Sequence, residues 1–320
     1  MIRLPAVAIA VALAALGFTC ARAGVSGLPT SRDRGGVEGA GTGAGTRTVV
    51  DDAGDRVTVK YPPHRIVSLA PGATGMLFAA GAGSQVVATD DASDEPAAAR
   101  KLPKLGDLAN IDMERLIAAK PDVVVVWPYG TSPAQIALLA RLGVPVYREE
   151  PMTLEGIAAS IERIGQLAGT SALADRVARA LRARITTLRK RYGGVADPPT
   201  ALLEVWNRPL FTVGGRELMS DALRICGARN VFEDLPQAAP AVSVEAVIGR
   251  NPDIIIAAAP PGKGAAWLAS WRRFPMLRAV RSRRLIDFED QGLSGLGPGA
   301  IEATAALCRK IAAVTARPVP

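Results

Sequence analysis

Short aliphatic runs alternate with stretches of helical period along this chain, and one such unit occurs twice. Residues 112–126 read DMERLIAAKPDVVVV, and residues 243–257 read SVEAVIGRNPDIIIA. Glu114, Leu116, Ile117, Pro121 and Asp122 in the first copy each stand 131 residues before Glu245, Val247, Ile248, Pro252 and Asp253 in the second. Each copy predicts a short amphipathic helix ended by its proline, then a buried strand of nearly continuous Val or Ile. A duplicated unit implies two similarly built lobes, each with a glutamate on the first turn of its helix. That is the outline of a bilobal binding protein.

The same periodicities continue on either side. A hairpin is expected from 48–51 and 56–60, around Asp52-Ala53-Gly54-Asp55. Strands are expected at 65–70, 85–89, 122–127 and 144–147, with helices at 71–80, 112–119 and 133–142. The second half repeats this order, with strands at 201–206, 253–258 and 285–288 and helices at 216–226, 243–249, 265–273 and 299–314. Between the halves, 154–191 carries apolar residues at helical spacing, from Ile157 and Ile161 to Ile185 and Leu188. Gly169-Thr170 interrupts that stretch and Ser171 is placed to cap its second part. Strands alternating with helices favour parallel sheets. The expected fold class is α/β, with two α/β lobes of mainly parallel sheet joined by a long rigid backbone helix. The lobes would span 48–152 and 196–320, with the connecting helix at 153–195.

The chain of 320 residues exceeds what one compact core usually needs. Its first 23 residues predict a cleavable signal peptide: Arg3, an apolar run over 6–18, then Ala21-Arg22-Ala23 before Gly24. The expected location is the periplasm. A lipoprotein attached through Cys20 is the rival, disfavoured by bulky Phe18 two residues before it. Residues 24–47, rich in Gly, Ser, Thr and Arg, read as a flexible tether, since no strand precedes their glycines as a phosphate loop requires. Removing the signal peptide takes away two arginines and no acids, lowering the formal charge from +8 to +6. The arginines are dispersed; the densest group, within 272–284, reads as a solvated helix and turn, and no nucleic-acid partner is expected. Cys226 and Cys308 remain after cleavage. An oxidising compartment favours pairing them, with two buried thiols as the other reading.

One histidine, His64, stands at the entry to a strand and reads as a surface residue. A histidine-based metal site and a Ser-His-Asp triad are both disfavoured, so no metal and no catalytic residue are expected. Ligands of open α/β sheets bind in loops beyond the strand ends. Aromatics make up only 4% of the chain, so those standing in such loops matter more. Trp127 and Tyr129 follow the first repeat strand, while Trp206 and Phe211 follow the first strand of the second half. Asp91 in 90–96 and Gln291 in 291–297 occupy further loops expected at the same edge. Together these residues outline an apolar cleft with a few polar groups.

At RIVSLAPGATGMLFAAGAG, IDMERLIAAKPDVVVVW and VSVEAVIGRNPDIIIA the chain resembles the cobalamin-type periplasmic substrate-binding proteins of ABC importers, over about residues 48–314. The resemblance implies a corrinoid ligand held between two lobes, modest lobe closure, no cofactor, and a monomer partnered by a permease and its ATPase. It implies that Glu114 and Glu245 dock on permease arginines and that Cys226 and Cys308 form a disulfide. Trp127 and Phe211 match aromatics of the family's ligand loops. The loop 90–96 has no aromatic and 293–300 has no arginine, where family members carry them. Ferric siderophores or haem are the alternative ligands of this architecture, with Tyr129 as an oxygen ligand for haem. A tetrapyrrole metal chelatase, also bilobal, is the remote enzymatic alternative, opposed by the signal peptide and the solitary histidine.

Overall fold

The computed structural model describes residues 45–316, apart from 109, 290 and 291. The signal peptide, most of the expected tether and Gln291 lie outside the described residues. The first element is an antiparallel hairpin of β1 (Gly45–Val50) and β2 (Arg56–Tyr61). The tether therefore ends earlier than expected: Gly45, Thr46 and Arg47 pair with Tyr61, Lys60 and Val59. Arg47 stacks over the Tyr61 ring at 3.7 Å and donates to the Gln166 carbonyl at 3.0 Å. Composition alone reads this segment as linker because its pairing partners lie beyond the turn.

The first lobe then runs β3 (Ile66–Ser68), α1 (Pro71–Ala79), β4 (Val86–Thr89), α2 (Met113–Ala118), β5 (Val123–Val126), α3 (Pro133–Arg141) and β6 (Val146–Arg148). Its sheet has the order β4-β3-β5-β6, all parallel. The second lobe runs β7 (Thr200–Glu204), α6 (Leu218–Ile225), β8 (Arg229–Asn230), α7 (Val244–Arg250), β9 (Ile254–Ala259), α8 (Gly264–Trp271), α9 (Arg278–Arg281), β10 (Leu285–Glu289) and α10 (Ala300–Thr315). Its sheet, β8-β7-β9-β10, is also parallel and has the same order of first, second, third and fourth strands. Val123–Val126 and Ile254–Ala257 are buried throughout, as strands covered on both faces must be. Two elements, the two-residue β8 and the single turn α9, carry too few residues for a periodic signal.

The repeated motif has a structural job that its sequence did not announce. Asp122 Oδ2 accepts the His64 and Arg65 backbone N–H groups at 2.7 and 2.9 Å, pinning the entry to β3. Asp253 Oδ2 accepts the Thr200 N–H at 2.9 Å, pinning β7 in the same way. The residues before the two prolines, Lys120 and Asn251, both take left-handed backbone angles, with φ of 46° and 47°. Each helix is thus ended by a left-handed residue, and the proline then prevents any return to helix.

The connecting segment is a helical hairpin rather than one rod. It consists of α4 (Leu154–Ala168) and α5 (Ser171–Tyr192), which turn at Gly169 with φ 79°. Gly165 lies where a Cβ would collide with the Ala174 methyl, so the arms pack closely near the turn. Farther out, the Arg182 guanidinium bonds the Glu162 carboxylate and lies 3.7 Å from that of Glu155. Both lobes grip this hairpin. Ser160 and Arg163 on α4 reach Asp52 of the β1–β2 turn at 2.5 Å each, and the Leu154 N–H donates to Asp221 of α6 at 2.9 Å. Arg184 on α5 pairs with Glu302 of α10 through two bonds of 2.9 and 3.0 Å. One hydrophobic core spans the hairpin and the facing sides of both sheets. No helix among the described residues is long and apolar enough to cross a membrane.

Candidate functional site

The strand order reverses beside the first strand of each sheet, β3 and β7, and a parallel sheet leaves a crevice at its carboxyl edge there. The expected aromatics stand at these two points. Trp127 and Tyr129 follow β5, with ring centroids 5.7 Å apart in an edge-on arrangement. Trp127 is partly buried against the core, while Tyr129 is 48% exposed. Trp206 and Phe211 follow β7 and form an antiparallel bridge with each other, and Phe211 bridges onward to Ala241. Trp206 also meets Trp267 edge-on at 6.3 Å, and its indole N–H donates to the Arg208 carbonyl at 3.0 Å. The four residues form two aromatic groups, one in each lobe.

Polar groups that the sequence reading missed hold these loops. Glu204, fully buried at the end of β7, accepts from Asn207 at 2.6 Å and from the Trp271 indole at 2.7 Å. Burial raises its carboxyl above the usual range, against the pull of those two donors. In the first lobe Asp90, fully buried, accepts from the Ser93 hydroxyl and the Ala92 N–H. Thr74 on α1 bonds both Ser93 and Ser68 at 2.8 Å, and Lys104 donates to the Ser93 carbonyl at 2.7 Å. The neighbouring Asp91, exposed, accepts from the Gly106 N–H at 3.2 Å and so braces its own loop.

A third group joins the lobes. The Tyr129 hydroxyl faces the Glu150 carboxylate, which follows β6; Glu217 at the start of α6 acts on Tyr129 and is itself acted on by Glu150. Burial, Glu150 and Glu217 together push the Tyr129 phenol up to about 12. Burial is also the main cause that raises Glu217 to about 7, with the Leu218 N–H opposing and Glu150 adding to the rise. Glu149 is 1% exposed and raised well above the carboxylate range, first by burial and then by Asp52 and Glu150. Glu149 and Glu150 follow a strand end and Glu217 opens a helix, and no apolar periodicity marks any of them as buried. Only the fold shows them gathered.

The proposed docking glutamates occupy equivalent exposed positions. Glu114 lies on the first turn of α2, whose cap Asp112 accepts the Arg115 N–H at 3.0 Å. Glu245 lies on the first turn of α7, whose cap Ser243 accepts the Ala246 N–H at 3.1 Å. Cys226, at the end of α6, and Cys308 on α10 form a disulfide buried in the shared core. His64 is exposed, as expected, and no group of three or more metal-binding side chains occurs among the described residues.

The family model for periplasmic binding proteins matches residues 66–291. The chain belongs to that family. A vitamin B12-binding protein of Photorhabdus laumondii is 33% identical over 249 residues, covering 78% of this chain and 88% of that one. The solved periplasmic vitamin B12 binding protein of Vibrio cholerae superposes with a TM-score of 0.72 at 28% identity, covering 80% of this chain and 99% of its own. A periplasmic haem-binding protein of Pseudomonas aeruginosa gives 0.63 at 26%, covering 79% and 92%. The expected resemblance to the cobalamin-type binding proteins stands, and with it the two parallel α/β lobes. These relatives are binding proteins rather than enzymes.

Proposed function

We propose that this periplasmic binding protein captures a corrinoid between its lobes, in the periplasm, and delivers it to the permease of an ABC importer. The observation that carries this reading is the position of the aromatics. Trp127 and Tyr129 in one lobe, and Trp206 and Phe211 in the other, stand at the two switch points of identically ordered sheets. Flat apolar faces flanked by a few carboxylates suit a large planar ligand bearing amide N–H groups. The vitamin B12-binding relatives support the same choice.

Haem is the second reading, supported by the haem-binding neighbour and by the half-exposed Tyr129 as an oxygen ligand. The environment of that phenol weighs against it. Iron(III) ligation needs phenolate, and burial, Glu150 and Glu217 raise the phenol to about 12, which makes that phenolate costlier to form. Calorimetric titration of the protein with cobalamin, cobinamide, haem and a ferric siderophore panel decides the ligand. Heat with a corrinoid is expected; silence with every corrinoid would sink the reading. For docking, Glu114→Lys with Glu245→Lys is expected to abolish transport while corrinoid affinity stays within about twofold. Retained transport, or lost ligand binding, would count against the assignment.

A further inference from the structure

Three groups from separate elements approach one another where the Leu154 N–H, just after β6, donates to Asp221 of α6 across the lobes at 2.9 Å. Tyr129 comes from the loop after β5, Glu150 from the end of β6, and Glu217 from the start of α6 in the other lobe. Asp52 is nearby but already satisfied: Arg163 neutralises it, and Ser160 and the Glu150 N–H donate to it. No arginine or lysine among the described residues forms an ion pair with Glu150 or Glu217. Donors also run short at this corner. Glu149 is 1% exposed, stands beside Glu150 and Asp52, and leaves its Oε1 without a partner; Glu150 Oε1 is buried without one as well. The Thr131 hydroxyl, two residues from Tyr129 and buried, is likewise unpartnered.

A buried carboxylate without a donor is costly, and a ligand that supplies donors repays that cost only if it carries no like charge. The loop 293–300, which ends the other side of the second lobe, contributes no arginine to offset the acids. We propose that Glu150 and Glu217, one from each lobe, form a carboxylate pair at the floor of the cleft that selects neutral or cationic, amide-bearing ligands and rejects anionic ones. This rests on the cleft reading above and names the ligand charge class within it. Tyr129 serves the pair by presenting its aromatic face to the ligand while its hydroxyl stays on Glu150.

The test is a charge series measured calorimetrically at pH 8, above the value of about 7 to which Glu217 is raised. Its probes are cyanocobalamin, the same corrinoid with one side-chain amide hydrolysed to carboxylate, a cationic ferric trihydroxamate and an anionic ferric tris-catecholate. The monocarboxylate is expected to bind about tenfold or more weakly than the amide, since like charges brought together at an interface oppose binding. That gap should shrink in Glu150→Gln and in Glu217→Gln, each checked for native circular dichroism. An unchanged gap in both folded variants overturns the proposal, as does equal or tighter binding of the monocarboxylate by the native protein. If no corrinoid binds, the corrinoid reading fails by itself. The charge rule then stands only if the cationic hydroxamate outbinds the anionic catecholate, and falls if the order is reversed or neither binds.

Discussion

Carboxylates in this chain take opposite roles according to the donors around them. Asp52, in the turn of the first hairpin, receives the Glu150 N–H, the Ser160 hydroxyl and the Arg163 guanidinium, and it fastens that turn to α4. Asp122 and Asp253 receive backbone N–H groups and fasten β3 and β7. Glu217 has little such help, so burial holds its carboxyl protonated up to about 7. A group whose folded pKa lies above its unfolded value contributes stability that is complete below the unfolded pKa, near 4.5, and lost as pH rises through about 7. Glu149 is shifted in the same direction. Stability should therefore fall between pH 5.5 and 8, and Glu217→Gln should remove a share of that fall on the order of 2 kcal/mol. Urea unfolding of both proteins at the two pH values measures this; parallel pH dependences would contradict it.

At the scale of elements, the repeat was the most legible part of the sequence. Its aliphatic runs and prolines located α2, β5, α7 and β9 because those signals are local. The aromatics of the two switch points were also legible, since a loop after a buried strand is easy to place. What stayed hidden depends on distant partners. Gly45–Arg47 became strand through pairing with β2, and the connecting stretch folded on itself through Gly165 and Gly169. Glu204 at its strand end and Asp90 in its loop look like ordinary acids until Trp271 and Ser93 are seen beside them. The disulfide is an element-scale link that spacing left open and the fold closes, tying α6 to α10 across a separation of 82 residues. Under the chain-entropy account, a loop of that size implies that Cys226→Ala with Cys308→Ala, or reduction, costs about 2–5 kcal/mol. Thermal unfolding with and without reductant reads that loss. A midpoint unmoved by reduction, with the thiols shown to be free, would contradict it.

At the scale of the whole molecule, the question is how far two lobes of identical strand order can move against each other. The helical hairpin joins them on one side, with α4 bonded to Asp52 in one lobe and Asp221 in the other. A second contact lies between α1 and the loop before α10. A Cβ on Gly72 would collide with the Gly295 carbonyl oxygen and crowd Leu296, and one on Gly75 would sit 3.3 Å from Pro298. Glycine at 72 is therefore required by a close approach of backbone to backbone between the lobes rather than by its own angles. Backbone cannot swing aside as a flexible side chain can, so Gly72→Ala must either push α1 from its sheet or push the lobes apart. Overpacking of this kind costs about 1–3 kcal/mol. If the contact fixes the lobe spacing, the variant should also bind its ligand less tightly, while Gly249→Ala, in open space on α7, should leave affinity unchanged. Small-angle scattering combined with ligand titration separates the cases. A Gly72→Ala protein with native stability, native dimensions and native affinity would show that the lobes are not braced there, and that the hairpin alone sets the cleft.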